Sequence, residues 1–188
     1  MILEAAERVF GSRPFHEATM QMIAAGSELG MQGLYDHFPS KQALYEEVIV
    51  NRARGFQRLV DQAVQGISDP IGQLRAVALV RVRLFSETPA FLPVFLAEKI
   101  RLDWGVRSVT SRRIRRVMRE EIGRVVKIVE RAIADRLLRR EDPTFLCHLF
   151  TEAVTASLHV FREHPEEGIE SCVDRAMRAF LGGAAASS

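Results

Sequence analysis

The sequence predicts an all-α protein, and three observations carry that expectation. Apolar residues recur at helical spacing almost throughout, no stretch alternates as a half-buried strand does, and the breaks between periodic segments carry helix-capping residues. The 188 residues, 47% hydrophobic and 27% charged, are enough for a sizeable core and ordinary for a soluble globular protein. No apolar run reaches the roughly 18 residues a membrane span needs, so no membrane partner is expected.

Leu3, Ala6, Val9 and Phe10 mark a first helix ending near Gly11. Thr19 suits the N-cap of a short second helix through Ile23 and Ala24. Ser27 to Gly30 reads as a turn and Met31 to His37 as a third short helix. Pro39 stops the chain, and Ser40 caps a long fourth helix whose Leu44, Val48, Leu59, Ala63 and Ile67 share a face. Gly66 and Ser68-Asp69-Pro70 end it and open a fifth, with Pro70 in the first turn. The run 86–89 opens a sixth, and 103–105 separates it from a long seventh over about 107–139. Glu141-Asp142-Pro143 starts an eighth. The run 164–168 starts a ninth, whose Ile169, Val173, Ala176, Met177 and Phe180 form an apolar stripe. About nine helices result: a small N-terminal three-helix unit, then a larger bundle reached through the fourth helix.

Charge is unevenly spread along the chain. Residues 1–60 hold six basic and seven acidic side chains, 99–140 fourteen and five, and 141–188 three and eight. Within the basic region Arg112, Arg115, Arg116 and Arg119 share a helical face opposite Ile114 and Met118. That face is solvated, attracts DNA phosphates at long range, or meets an acidic partner or ligand head group. Two cysteines, Cys147 and Cys172, fit buried thiols in a reducing cytoplasm, where the protein is expected to reside.

Catalytic chemistry finds no foothold. There is no phosphate-binding glycine loop and no His/Cys cluster at metal-ligand spacing, so no metal and no cofactor are expected. Glu120-Glu121 and Glu166-Glu167 read as solvated helix residues. His148 and His159 share a face of the eighth helix, where burial or an interface explains them better than metal ligation.

Three short helices with a tight turn between the second and third follow the helix-turn-helix plan, which sets the third helix in the DNA major groove. The strings ILEAAERVF, FHEATMQMIA and GLYDHFPSKQAL resemble, without gaps from about Ile2 to Val48, the N-terminal domain of TetR-family transcriptional regulators. Leu-Tyr-x-His-Phe-x-Ser-Lys is the specific part. The resemblance implies a DNA-binding domain at 1–48 and a ligand-binding and dimerisation domain at 49–188. It implies no enzyme, and a homodimer on a palindromic operator, most simply a repressor released by a small apolar effector. An all-α scaffold without DNA binding would leave Tyr35, Ser40 and Lys41 unexplained, and a helical enzyme lacks its residues.

Under the resemblance, Leu34 and Phe38 pack the third helix onto the first, opposite Phe10 and Ile23. Tyr35 offers its hydroxyl to a phosphate. Lys41 and Thr19 sit in or before first helical turns, where amides and dipole favour an anion. Gln32 is the expected base reader, since a carboxamide bonds adenine bidentately. Met31 and Gly33 meet thymine methyls or allow close approach, and His37 is either a phosphate ligand or a satisfied structural histidine. Glu28 stands where the family usually has glycine. Left-handed backbone there would cost about 1–2 kcal/mol, so a turn built on Gly26 or Gly30 is expected.

Leu79, Val82, Phe85, Phe91, Phe95, Leu96, Trp104 and Met118 are the side chains expected to line the effector cavity. The eighth helix is apolar almost all round, which requires cover on both sides. Phe150, Val154, Leu158 and Phe161, with Val173, Met177 and Phe180 of the ninth, are the expected dimer interface.

Overall fold

A computed structural model describes residues 1–103 and 111–184. Nine α-helices occur among them: α1 Ile2–Ser12, α2 Met20–Ala25, α3 Met31–His37, α4 Lys41–Val64, α5 Pro70–Glu87, α6 Phe91–Asp103, α7 Arg112–Ala134, α8 Pro143–Glu163 and α9 Ile169–Ala184. A single 3-10 turn, Pro165–Glu167, precedes α9. No strand occurs in the described residues.

Helix starts follow local chemistry. Thr19 Oγ1 accepts from the Met22 amide at 3.2 Å, Ser40 Oγ from Ala43 at 3.1 Å, and Asp142 Oδ1 from Phe145 at 2.7 Å. Each satisfies an amide that lacks an intrahelical acceptor. Asp69 does the same for α5, accepting from the Ile71 and Gly72 amides at 3.2 and 2.7 Å.

Three boundaries differ from the sequence expectation. The turn at 88–91, closed by the Phe91 amide on the Thr88 carbonyl at 3.0 Å, delays α6 to Phe91. The 164–168 run forms the 3-10 turn, and Gly168, at φ 79°, separates it from α9. Helix α7 ends at Ala134 rather than near 139, because the chain turns back on itself. Leu137 and Arg136 donate to the Ala132 and Ile133 carbonyls at 2.8 and 3.0 Å, with Arg136 left-handed at φ 59°. This is a Schellman closure with arginine where glycine is usual. The expected start of that helix at 107–110, the separating Trp104-Gly105 and the tail 185–188 lie outside the described residues.

The chain divides into two compact units. The first comprises Met1–Gly55 and Thr88–Met118, the second Phe56–Glu87 and Arg119–Ser188. In the first, α2 packs on α1 and α3, and α1 packs on α6. Ala6, Ile23, Leu34 and Leu44 are fully buried, with Phe10 and Tyr45 nearly so. Phe38 is half-buried. Gly11 lies so close to the loop before α6 that an added Cβ would sit 1.9 Å from the Ala90 carbonyl oxygen. Tyr45 donates to buried Glu98 at 2.8 Å, and Arg101 pairs with the same carboxylate. Burial and the neighbouring Glu98 charge push the Tyr45 phenol well above its usual range.

In the second unit α8 and α9 pack together, and α5 packs on both. Six of the seven side chains expected between subunits (Phe150, Val154, Leu158, Val173, Met177 and Phe180) are instead buried within this unit. The Phe150 and Phe180 rings meet edge-on at 5.6 Å. Periodicity identified the buried stripe, but the stripes of α8 and α9 cover each other, and only Phe161 stays half-buried. The apolar side chains α8 leaves outward are Phe145, 50% exposed, and Leu149, 37%.

Candidate nucleic-acid interface

Helix α3 is seven residues long, about 10 Å at 1.5 Å per residue, and one residue anchors it. Leu34 is fully buried. Gln32 and Asp36 lie across the helix from it, with Met31 and Tyr35 on its flanks, and all four are exposed. His37 is exposed and Gly33 half-buried. A Cβ on Gly33 would make ordinary contacts with Leu29 at 3.5 Å, so folding alone does not demand glycine there.

The turn into α3 uses no left-handed residue. Gly26 has φ −92° and Gly30 φ −67°, and Glu28 is not among the positive-φ residues. Ser27 builds the turn instead, its hydroxyl donating to the Ala24 and Leu29 carbonyls at 3.1 and 3.2 Å. Arg8 of α1 donates to the Gly26 carbonyl at 3.1 Å, closing the end of α2. Arg52 grips Glu7 with two bonds of 2.6 and 3.1 Å, tying α4 to α1.

Two site residues behave in ways the sequence reading missed. Gln32 Nε2 donates to Asp36 Oδ1 at 3.0 Å, one turn along the exposed face. Asp36 thereby orients the carboxamide. One Nε2 hydrogen is used, and the other, with Oε1, is left for the N7 and N6 groups of adenine. The glutamine–aspartate spacing of four was the available signal.

Lys41 points inward rather than toward a phosphate. Its ammonium donates to the Phe15 and Ala18 carbonyls at 2.7 Å each, with His16 O at 3.5 Å, and lies 4.4 Å from the Phe15 ring centroid. The loop between α1 and α2 thus takes the donors that the first turn of α4 was expected to offer outward. Thr19 is exposed and caps α2.

Other expected sites are placed as follows. Leu79 is half-buried and Val82 and Phe85 buried in the second unit. Phe91 and Met118 are buried and Phe95 and Leu96 half-buried in the first, and Trp104 is outside the described residues. The second unit also holds a cavity of about 10 Å³ lined by other residues, among them Phe56, Val77, Val125 and Ile128. Arg112, Arg116 and Arg119 are exposed, whereas Arg113 beside them pairs with Glu47 at 2.7 Å. Glu121, expected in solvent, is buried against Arg81. The Arg81 Nη1 atom has no hydrogen-bond partner among the described residues, an arrangement that costs about 1–3 kcal/mol unless something fills it. No described helix is long and apolar enough to cross a membrane, and no described cluster of three His, Cys, Asp or Glu is placed to hold a metal.

Residues 2–48 match the sequence model for bacterial regulatory proteins of the tetR family. No curated protein matches the chain. Among solved structures, a tetR family transcription regulator from Shewanella sp. PV-4 is similar at TM-score 0.79 and 19% identity, covering 99% of this chain and 97% of that one. The TetR family regulator PfmR of Thermus thermophilus gives 0.74 at 19%, covering 96% and 97%. AibR, in complex with isovaleryl coenzyme A and operator DNA, gives 0.72 at 24%, covering 95% of each chain. At such identities the structural likeness establishes the fold.

Proposed function

We propose that this chain, whose residues 2–48 match the sequence model for bacterial regulatory proteins of the tetR family, is a one-component transcriptional repressor that binds a palindromic operator as a homodimer and leaves it when a small effector binds. The observation that carries the reading is the α3 face. A helix held by the fully buried Leu34 presents Gln32, oriented by Asp36, beside exposed Tyr35 and Met31. Gln32 reads an adenine, Met31 meets a thymine methyl, and Tyr35, His37 and the capped start of α2 at Thr19 contact phosphates. Lys41 serves by holding the α1–α2 loop in place rather than by touching DNA.

The outward face of α8 supports the dimer. Phe145, Leu149, Ala153, Ala156 and Val160 fall on one side of the helix, and the first two are large apolar side chains left in water. A two-fold axis beside this face would cover it. A palindromic operator then offers the two α3 helices half-sites about 34 Å apart, one turn of DNA. AibR was crystallised with isovaleryl coenzyme A and operator DNA together, which supports effector control in a chain of the same fold. An effector that prefers the released state about a hundredfold shifts the equilibrium by roughly 2.7 kcal/mol, enough for a switch.

Footprinting on DNA flanking the protein's own gene tests the reading. Protection of a palindrome, relieved by an effector, is the expected result. Binding that follows DNA length and salt alone, without a protected site, would contradict it.

A further inference from the structure

The first unit carries a groove of about 540 Å³ between the α1–α2 loop and α6. Aromatic rings make up part of its lining. Phe10 and Phe15 stack at 5.9 Å, and Tyr45 of α4 meets both edge-on at 5.0 and 4.9 Å. Pro93, Val94 and Ala97 supply the α6 wall. Arg13, His16 and Arg101 also line the groove, and no aspartate or glutamate does so among the described residues. Arg13 is exposed, and among the described residues its one hydrogen bond goes to the Met22 thioether at 3.3 Å, a weak acceptor. Its charge therefore meets no carboxylate. Arg101 Nη1 serves Glu98 and, at 3.4 Å, the Tyr45 hydroxyl, while its Nε and Nη2 make no hydrogen bond among the described residues. Glu98 itself is fully buried and does not line the groove.

We propose that this groove binds a small aromatic carboxylate, its anionic group met by Arg13 from the loop and Arg101 from α6, its ring laid against Phe15 and the α6 wall. The volume falls in the range of sites that hold small molecules, and apolar walls with a few polar groups are their usual lining. Charge selects the anion. The lining repels a cation, an uncharged ligand leaves Arg13 unmet, and the planar guanidinium fork matches a carboxylate with two parallel bonds. Phe15, half-buried, selects the ring, since aromatic pairs gain from offset or edge-on contact beyond the area they bury. The Tyr45 hydroxyl is already committed to Glu98 at 2.8 Å, so that residue offers the ligand only its ring. A ligand joining Arg13 to Arg101 ties to α6 the loop that Lys41 holds and that runs directly into Thr19. The site deepens the reading of this chain as an effector-controlled regulator and rests on that reading for its consequence at Thr19, yet its test uses no DNA.

Calorimetric titration with 2-naphthoate and with 2-naphthamide, which share a ring system and differ in charge, tests the site at neutral pH. The wild-type chain is compared with Arg13→Gln, which removes an exposed charge and strands no buried partner. Naphthoate is expected to bind the wild type about tenfold or more tighter than the amide, and to lose about tenfold or more in Arg13→Gln, while the amide binds both proteins alike. Nuclear Overhauser contacts from naphthoate protons to the Phe15 ring and the Val94 methyls should accompany binding to the wild type. Should Arg13→Gln fail to fold, Arg13→Lys, which keeps the charge and loses the fork, makes the same comparison. No naphthoate binding to the wild type, equal affinity for acid and amide, or unchanged naphthoate affinity in the variant would overturn the proposal. Such a failure with an intact operator footprint would leave the repressor reading standing, and naphthoate binding without a footprint would leave the groove standing alone.

Discussion

Replacing Lys41 with methionine keeps the aliphatic stem and removes the ammonium, so it isolates what the charge does. In the structure that ammonium makes two 2.7 Å bonds to the Phe15 and Ala18 carbonyls and lies 4.4 Å from the Phe15 ring centroid. Bonds to a charged group contribute about 1.5–3 kcal/mol each, and a partly exposed cation–π contact about 0.5–1. Lys41 is only half-buried, and water replaces part of what is lost. The expected destabilisation is therefore about 2 kcal/mol, or roughly thirtyfold in the folding equilibrium. Urea unfolding followed by circular dichroism measures it as a lower midpoint at unchanged slope. A ligand to phosphate would behave differently. Its removal would leave stability alone and reduce the slope of log affinity against log salt by about one phosphate contact. That second pattern, a flattened salt slope with an unmoved midpoint, would refute the inward role assigned to Lys41.

Other outcomes follow from the same structure. Gly11→Ala places a Cβ 1.9 Å from the Ala90 carbonyl oxygen with backbone on both sides, and should lower stability by about 1–3 kcal/mol in a thermal melt. The Tyr45 phenol is raised in the folded chain, so its contribution is complete below the unfolded value near pH 10 and is lost as pH climbs beyond it. Melting temperatures from neutral to alkaline pH should fall less steeply above about pH 10 in Tyr45→Phe than in the wild type. Leu149→Glu puts a charge on the outward face of α8 and should yield monomers in sedimentation equilibrium, while Leu149→Ala alone weakens the dimer. A wild-type chain that already sediments as a monomer at micromolar concentration would remove α8 from consideration as an interface.

The helices were legible because their signals are local. Thr19, Ser40, Asp69 and Asp142 each announce a start by side-chain chemistry that needs no distant partner, and the structure uses all four. What stayed hidden depends on residues far apart in the chain. Lys41 finds its acceptors some 23 to 26 positions away, and Arg81 meets Glu121 across 40. Periodicity said that Phe150 and Phe180 would be buried but not by what, and α8 and α9 bury them in each other. The α7 end was misplaced because its left-handed residue is Arg136, where only glycine or asparagine would have raised the alarm. At the α3 face, residue types pointed to Gln32, while the partner that aims it, Asp36, was signalled only by its spacing of four.

Selection of binding sites from random double-stranded DNA, run in parallel for the wild type and Gln32→Ala, tests the central claim most directly. The wild type should enrich a palindrome with an adenine at one symmetric position in each half-site. Gln32→Ala should keep the palindrome and lose preference at that pair alone, by about 1–3 kcal/mol per half-site. No enriched palindrome from the wild type, or identical preferences from the two proteins, would contradict the assignment of α3 as the reading helix.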